Sequence, residues 1–256
     1  MYIFLKIKKY ILGYYSKRVL GFKILPYFKG KNGIEIGGPT SLFTYGLPLY
    51  KMISHLDGCN FSKYTIWEGE IAAGNSYNYY INKTGFQYIS EASDLKEIAS
   101  EHYDFLLASH CLEHCANCIK TIQEWLRVLK PGGSMLLILP DKRFSFDHKR
   151  EVTTFNHLVD DFVRDIDETD LTHLDEILSL HDLSMDTLAG DLKNFKQRSL
   201  SNFRNRCLHH HVFDFDLLIE ISKHLKIDVK FKKWIASYHQ IIIMKKPSNK
   251  NQLSVK

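Results

Sequence analysis

Apolar positions along the chain fall into short runs separated by longer stretches with helical spacing. Ile34 and Ile36 frame a first strand, which breaks at Gly37-Gly38-Pro39. A second strand is expected around Met52 to Leu56, ending at Asp57-Gly58, and a short third at Phe86 to Ile89. Residues 59–85 are rich in Tyr, Asn, Ser and Gly and read as irregular. Ser93 or Asp94 offers an N-cap for a helix reaching about Glu101. Tyr103 to Ala108, apolar from Phe105 onward, has the continuous hydrophobicity of a buried parallel strand. Ile119, Ile122, Leu126 and Leu129 share one face of a helix over 117–129, which Lys130-Pro131-Gly132-Gly133 stops. Met135 to Leu139 is a fifth strand.

Strand and helix in steady alternation predict a doubly wound, Rossmann-like α/β fold with a mostly parallel sheet. The alternation lapses over 150–205, which reads as helical and polar without a strand. An insertion of that length after the fifth strand is expected to form a helical lid over the strand tips. Asp214 can cap a last crossover helix to about His224; Val229 to Trp234 and His239 to Met244 then form a closing antiparallel hairpin. Seven strands result. The expected organisation is a helical arm over 1–30, a core over 31–149 and 206–246, the lid over 150–205 and a loose tail over 247–256.

Composition narrows the class. The 256 residues are 45% hydrophobic and 25% charged, enough apolar matter for a full core, and no apolar run approaches the roughly 20 residues that span a bilayer. Five cysteines without paired spacing point to a reducing compartment. The N-terminus shows no small-residue cleavage site, so a cytoplasmic location is expected. The first 34 residues carry eight Lys or Arg and no acid, so against an overall +5 the remainder is −3. Residues 1–30 therefore read as an amphipathic arm that packs on the domain, with contact to an anionic membrane surface as the alternative. No nucleic-acid module is recognisable.

The residues most suggestive of chemistry surround Gly37-Gly38. Glycine lets the backbone turn sharply at a strand end and lie against a ligand, and the adjacent Glu35 suits one with hydroxyls and a positive charge. Asp57 follows about twenty residues later, the spacing at which an acid on a neighbouring strand tip can accept from ribose hydroxyls. Gly-Ile-Glu-Ile-Gly-Gly-Pro, Asp57, Ala-Ser-Asp94-Leu95, the run from Phe105 to His114 and Leu-Arg-Val-Leu-Lys-Pro-Gly-Gly occur in order. With these five stretches, the chain over roughly residues 30–245 resembles the class I S-adenosylmethionine-dependent methyltransferases. The resemblance implies S-adenosylmethionine as cofactor. It also implies that Glu35, Gly37 and Gly38 face its methionine part, Asp57 its ribose, Asp94 and Leu95 its adenine, with Ser109 and His110 bordering the sulfonium. One departure stands out: Pro39-Thr40-Ser41 occupies the place of a third family glycine.

For the acceptor, Pro140 to Arg150 follows the fifth strand at the sheet edge where open α/β folds bind ligands. Asp141 and His148 are candidate bases, with His209 from the run His209-His210-His211. Lys142, Arg143, Asp147, Arg150, Arg206 and His114 are candidate acceptor contacts, the cations suiting an anionic group. The 140–150 stretch also resembles a branch of the family associated with sugar or surface-polysaccharide tailoring. The expected activity is O-methylation of a small polar acceptor such as a sugar, nucleotide-sugar or phosphorylated precursor. His110 and His114 are four apart and, with Asp141, Asp147 or His148, could hold a divalent metal, but base or substrate roles are favoured and no metal is assigned. Cys111, Cys115 and Cys118 have the spacing of an iron–sulfur ligand set, which the methyltransferase pattern already accounts for. The rival readings are a nucleotide-dependent oxidoreductase and a non-catalytic module on the same fold.

Overall fold

The computed structural model describes residues 20–235 and 239–248. Most of the expected N-terminal arm and nearly all of the expected tail lie outside the described residues. Eight strands form the central sheet: β1 (Asn32–Ile36), β2 (His55–Asn60), β5 (Gly74–Tyr80), β6 (Lys83–Ile89), β7 (Tyr103–Ser109), β8 (Leu129–Pro140), β9 (Asp228–Ile235) and β10 (His239–Lys245). β3 (Tyr64–Thr65) and β4 (Gly69–Glu70) make a separate small hairpin. The sheet order is β5-β6-β2-β1-β7-β8-β10-β9. β6, β2, β1, β7 and β8 are parallel; β5 and β10 run against their neighbours, and β9 pairs antiparallel with β10. Chain order reverses between β1 and β7, and the crevice outside their carboxyl ends is where such sheets bind ligands.

Both faces of the sheet are covered. Ile34, Ile36, Leu106 and Ala108 pack with Ile119, Ile122 and Trp125 of helix α1 (Cys118–Val128) and with Leu218 and Ile221 of the final crossover helix. Leu107, Leu136, Ile138, Ile241 and Ile243 face the other way, against Leu20, Ile24, Phe28, Phe43 and Tyr50. Gly33 is required at this crossing, because a Cβ there would lie 2.2 Å from the Phe105 ring. Between β8 and the last crossover stand helices α2 (Phe155–Val163), α3 (Leu174–Leu180), α4 (Leu192–Leu200) and α5 (Asn202–Asn205). Ile177, Ala189, Phe195 and Leu208 give this segment a small core of its own. Helix α6 (Phe215–His224), capped by Asp214, then leads into the closing hairpin.

Three expectations are corrected. Among the described residues the sheet has eight strands rather than seven, because 74–80 forms an antiparallel edge strand in which Tyr77 and Tyr79 alternate inward through a polar sequence. The second strand begins at His55, since Met52 and Ile53 are turned back on Leu49, and it runs through Asp57-Gly58 to Asn60. No helix follows Asp94. The backbone groups it would use are taken by α1: Leu95 N donates to Glu124, and Arg127 donates to the carbonyls of Leu95 and Ile98. Among the described residues no helix is long and apolar enough to cross a membrane.

Candidate functional site

The glycine turn is shaped from beneath by Glu35. This fully buried carboxylate accepts from the Tyr50 hydroxyl at 2.6 Å, the Tyr77 hydroxyl at 2.7 Å and Thr40 N at 3.2 Å. Burial nevertheless dominates and raises its pKa to about 7, against the opposing pull of the tyrosine hydrogen bonds. A Cβ on Gly38 would lie 2.3 Å from the Glu35 carboxyl carbon and 2.5 Å from the Tyr77 oxygen, so backbone and acid are packed without room for a side chain. Gly37 has φ +78°, the left-handed region that glycine enters without strain. From the tip of β2, Asn60 Nδ2 donates to Gly38 O at 2.9 Å, and Asn60 Oδ1 is a buried acceptor with no hydrogen-bond partner among the described residues.

Over this turn lies a cavity of about 590 Å³, a size that suits a nucleoside together with a small second ligand. Its sheet side is formed by Ile36, Gly37, Thr40, Asn60, Ala92 and Ser109, and its opposite side by Phe146, Glu168, Asp186, Arg198, Arg206 and His209. The helical segment thus supplies the wall facing the strand tips.

The residues nominated for the cofactor separate into two groups. Gly37, Ser109 and His110 line the cavity; Glu35, Gly38, Asp57, Asp94 and Leu95 do not. Glu35 and Gly38 lie directly under the lining. Asp57 is misplaced by the shifted strand: paired with Ile34 inside the sheet, it accepts from Phe86 N at 2.7 Å and Tyr103 OH at 2.6 Å and meets His55 Nε2 at 2.8 Å. It is a sheet residue, and Asn60 holds the tip. Asp94 is exposed and paired with Lys96, while Leu95 is fully buried in the core; Ser90, Glu91 and Ala92 border the cavity in their place. Sequence reasoning missed Asn60, Glu91 and Ala92, because their positions depend on where β2 and β6 end, and Glu68, which stands in the turn of the small β3–β4 hairpin.

Towards the helical wall, His209 is joined to Asp147: Nδ1 lies 2.5 Å from Oδ2, with both groups buried. Arg150, 1% exposed, donates to Asp147 at 3.1 Å, to His209 O at 2.8 Å and to Glu176 at 3.0 Å. Burial opposes charge on Asp147, but His209 and Arg150 outweigh it and hold its pKa at about 2. Burial likewise opposes charge on His209, but Asp147 prevails and raises its pKa. His114 packs edge-on against His209 with ring centroids 4.6 Å apart, and its Nδ1 donates to Leu208 O at 3.0 Å. Burial, then His209, lowers the His114 pKa to about 4, leaving a neutral ring. Glu113 is fully buried beside them. Burial disfavours its charge, but His110, whose Nδ1 is 3.2 Å from Oε1, and the neighbouring histidines keep its pKa low. One donor atom each from Glu113, His114 and His209 lies within 4.8 Å of the others, so these three could also hold a metal.

The loop after the fifth strand is arranged differently from the expectation. Asp141 takes a bidentate contact from Arg143, whose guanidinium also lies 5.1 Å from the Trp234 ring, and neither lines the large cavity. Lys142 donates to Arg150 O, and His148 meets Asp182 at 2.9 Å away from the cavity. The three cations of this loop that were expected to receive an anion, Lys142, Arg143 and Arg150, are thus engaged within the protein, and Asp147 acts through His209. The cavity's arginines are Arg206, paired with Glu91, and Arg198, paired with Asp186 at 2.7 Å. Cys115 and Cys118 are buried thiols whose pKa values are pushed far up, by a Cys111 hydrogen bond and burial for the first and by burial for the second. Among the described residues the converging metal-ligand groups include no cysteine.

Residues 35–137 match the family described as Methyltransferase domain, and the cofactor that this likeness implies is S-adenosylmethionine. A stretch of 113 residues, 42% of the chain, is 30% identical to the fusarin C synthetase of Gibberella fujikuroi. The chain spans only 3% of that protein's length. Among solved structures, an S-adenosylmethionine-dependent methyltransferase from Mesorhizobium loti aligns with TM-score 0.50 at 9% identity, over 89% of this chain and 96% of that one. A methyltransferase from Aquifex aeolicus aligns with TM-score 0.49 at 13% identity, over 94% and 96% of the two chains. At 9% identity the first of these likenesses is one of fold.

Proposed function

We propose that this chain, built on a methyltransferase domain over residues 35–137, methylates a hydroxyl of a small, sugar-like acceptor. S-adenosylmethionine, when bound, supplies a methyl group already activated on a sulfonium. The residues present suit it: the Gly37 backbone and Thr40 border one end of the strand-tip cavity, Asn60 Oδ1 is an unpartnered acceptor for a hydroxyl, and Ala92 offers an apolar edge. The protein's remaining tasks are to align the acceptor, exclude water and remove its proton.

The observation that carries this reading is the His209–Asp147 pair on the cavity wall. With Nδ1–H donated to Asp147, the basic atom of the ring is Nε2, and Arg150 prevents the carboxylate from rotating away. His209 therefore takes the hydroxyl proton as the oxygen is methylated. Each cavity arginine already carries a carboxylate, Arg206 with Glu91 and Arg198 with Asp186, and Glu168 stands nearby. Paired charges of both signs favour a neutral polyhydroxylated group over a strongly anionic one.

The test is formation of S-adenosylhomocysteine from labelled S-adenosylmethionine against nucleotide-sugars, free sugars and sugar phosphates. With an accepted substrate, His209→Ala and Asp147→Asn should lower kcat by about 10²–10⁴-fold while S-adenosylmethionine affinity stays within about twofold. Asp147 and Glu113 raise the His209 pKa while burial and Arg150 lower it, and the net is upward. The neutral base therefore accumulates only above its ordinary 6.5, kcat/KM should climb with pH there, and Asp147→Asn should move that limb to lower pH. Full activity of both variants would reject the base, and tight NADH binding without S-adenosylmethionine binding would reject the class. A second reading has one observation behind it: neither oxygen of buried Glu113 has a well-formed hydrogen bond, as suits a divalent ion held with His114 and His209. Turnover abolished by EDTA and restored by magnesium or manganese would select it.

A further inference from the structure

Helix α2 opens at Thr154, whose side chain caps His157 N, and carries His157 and Asp161 one turn apart on the same face. His173 stands at the start of α3, and His211 lies on the return towards the final crossover, two residues beyond His209. These four meet outside the cavity, whose lining includes none of them. His157 Nε2 is 2.9 Å from His173 Nε2 and 3.2 Å from Asp161 Oδ2, and His211 Nε2 is 3.7 Å from the same oxygen. Asp161 Oδ2 and His211 Nδ1 are buried without a hydrogen-bond partner among the described residues. One nitrogen of each of the three histidines lies within 4.8 Å of the others.

A proton between His157 Nε2 and His173 Nε2 satisfies that pair in one tautomer but leaves Asp161 Oδ2 and His211 Nδ1 unpartnered, whereas a cation would draw on the lone pairs of the whole cluster. A tetrahedral zinc with bonds of about 2.0–2.1 Å sets its donors roughly 3.3 Å apart. The separations of 2.9 and 3.2 Å are close to that spacing. The outer atoms are also suitably engaged. His173 Nδ1 faces Glu176 Oε2 at 3.6 Å, and His211 Nε2 donates to Ala116 O at 3.0 Å, which leaves the buried Nδ1 as the lone pair that His211 can offer a metal. Such contacts orient ligand rings.

We infer that His157, His173 and His211, with Asp161 beside them, form a site for a divalent transition metal, zinc by donor chemistry, that fastens the helical segment to the core. The three imidazoles come from three separate segments of the chain, so an ion shared among them would hold those segments together. Its mechanical role follows from position. The segment's own core is small, and the metal joins α2 and the start of α3 to the strand of chain that carries His209.

The test is zinc content of the whole protein, purified without chelator, equilibrated with micromolar zinc and passed over a desalting column. His157→Ala and His173→Ala, confirmed as folded by circular dichroism, should each carry one equivalent less than the unaltered protein, whereas Glu113→Gln, in the other convergent group, should not lose that equivalent. Chelation should lower the melting temperature of the unaltered protein by several degrees and leave both histidine variants unmoved. Cobalt in place of zinc should show the intense visible absorption of a tetrahedral ion. Equal zinc in variants and parent, or a folded parent that binds no zinc and shows no tetrahedral cobalt spectrum, would overturn the inference.

Discussion

Glu35 shows how one residue can be recognised in the sequence and still be assigned the wrong task. Its place before the glycine turn was legible, and the turn does border the cavity. Its side chain points into the protein, where three donors and full burial make it a support for the turn rather than a ligand contact. That burial has a consequence for stability. The Glu35 pKa is raised from 4.5 to about 7, and Glu168 is raised to about 7 for the same principal reason. A folded state that binds protons more tightly than the unfolded chain gains stability below pH 4.5 and loses it as pH rises through about 7. Chemical denaturation between pH 5 and 8 should therefore show stability from these two groups falling with pH. Glu35→Gln and Glu168→Gln should each flatten the slope; an unchanged slope in both would contradict the assignment.

Among the elements, those with sharp ends in the sequence were readable and those whose ends depend on neighbours were not. Helix α1 has an apolar face, Asn117 as cap and a Pro-Gly-Gly stop; α6 has Asp214 as cap. The two caps differ in what else they do. Asp214 accepts from Leu217 N, whereas Asn117 accepts from Lys120 N and also donates to Asp161 O and Ile166 O, binding the start of α1 to the end of α2. Asp214→Ala should cost about 1 kcal/mol of stability. Asn117→Ala should cost roughly 2–3 kcal/mol, because buried carbonyls lose a donor as well as the helix its cap. Urea titration of the two variants distinguishes these; equal costs would show that the tie to α2 is not used. The strand over 74–80 and the turns over 94–101 belong to the other kind. Asn, Ser and Gly hid the inward alternation of Tyr77 and Tyr79, and Glu124 with Arg127 took the hydrogen bonds of a helix that Asp94 could have begun.

At the scale of the whole molecule, the site exists only where the sheet ends and the helical wall face each other. Cofactor binding should therefore register on global stability. S-adenosylhomocysteine at one hundred times its Kd should add about 2.7 kcal/mol and raise the melting temperature. Asn60→Ala should remove most of that shift. Asp57→Asn should keep it while lowering the starting stability, since Asp57 serves the sheet through Phe86 N and Tyr103. The reverse pattern would restore the ribose role to Asp57. The sequence by itself determined the class of fold, the parallel core strands and the glycine turn, because period, caps and turn residues act over a few neighbours. Only the tertiary structure decided that Asn60 rather than Asp57 ends β2, that Arg143 and Arg150 are spent on internal partners, and that His209 meets Asp147. Each of these depends on strand register or on a contact between residues far apart in the chain. A three-residue shift in β2, invisible to local pattern, is enough to exchange a pocket residue for a buried one.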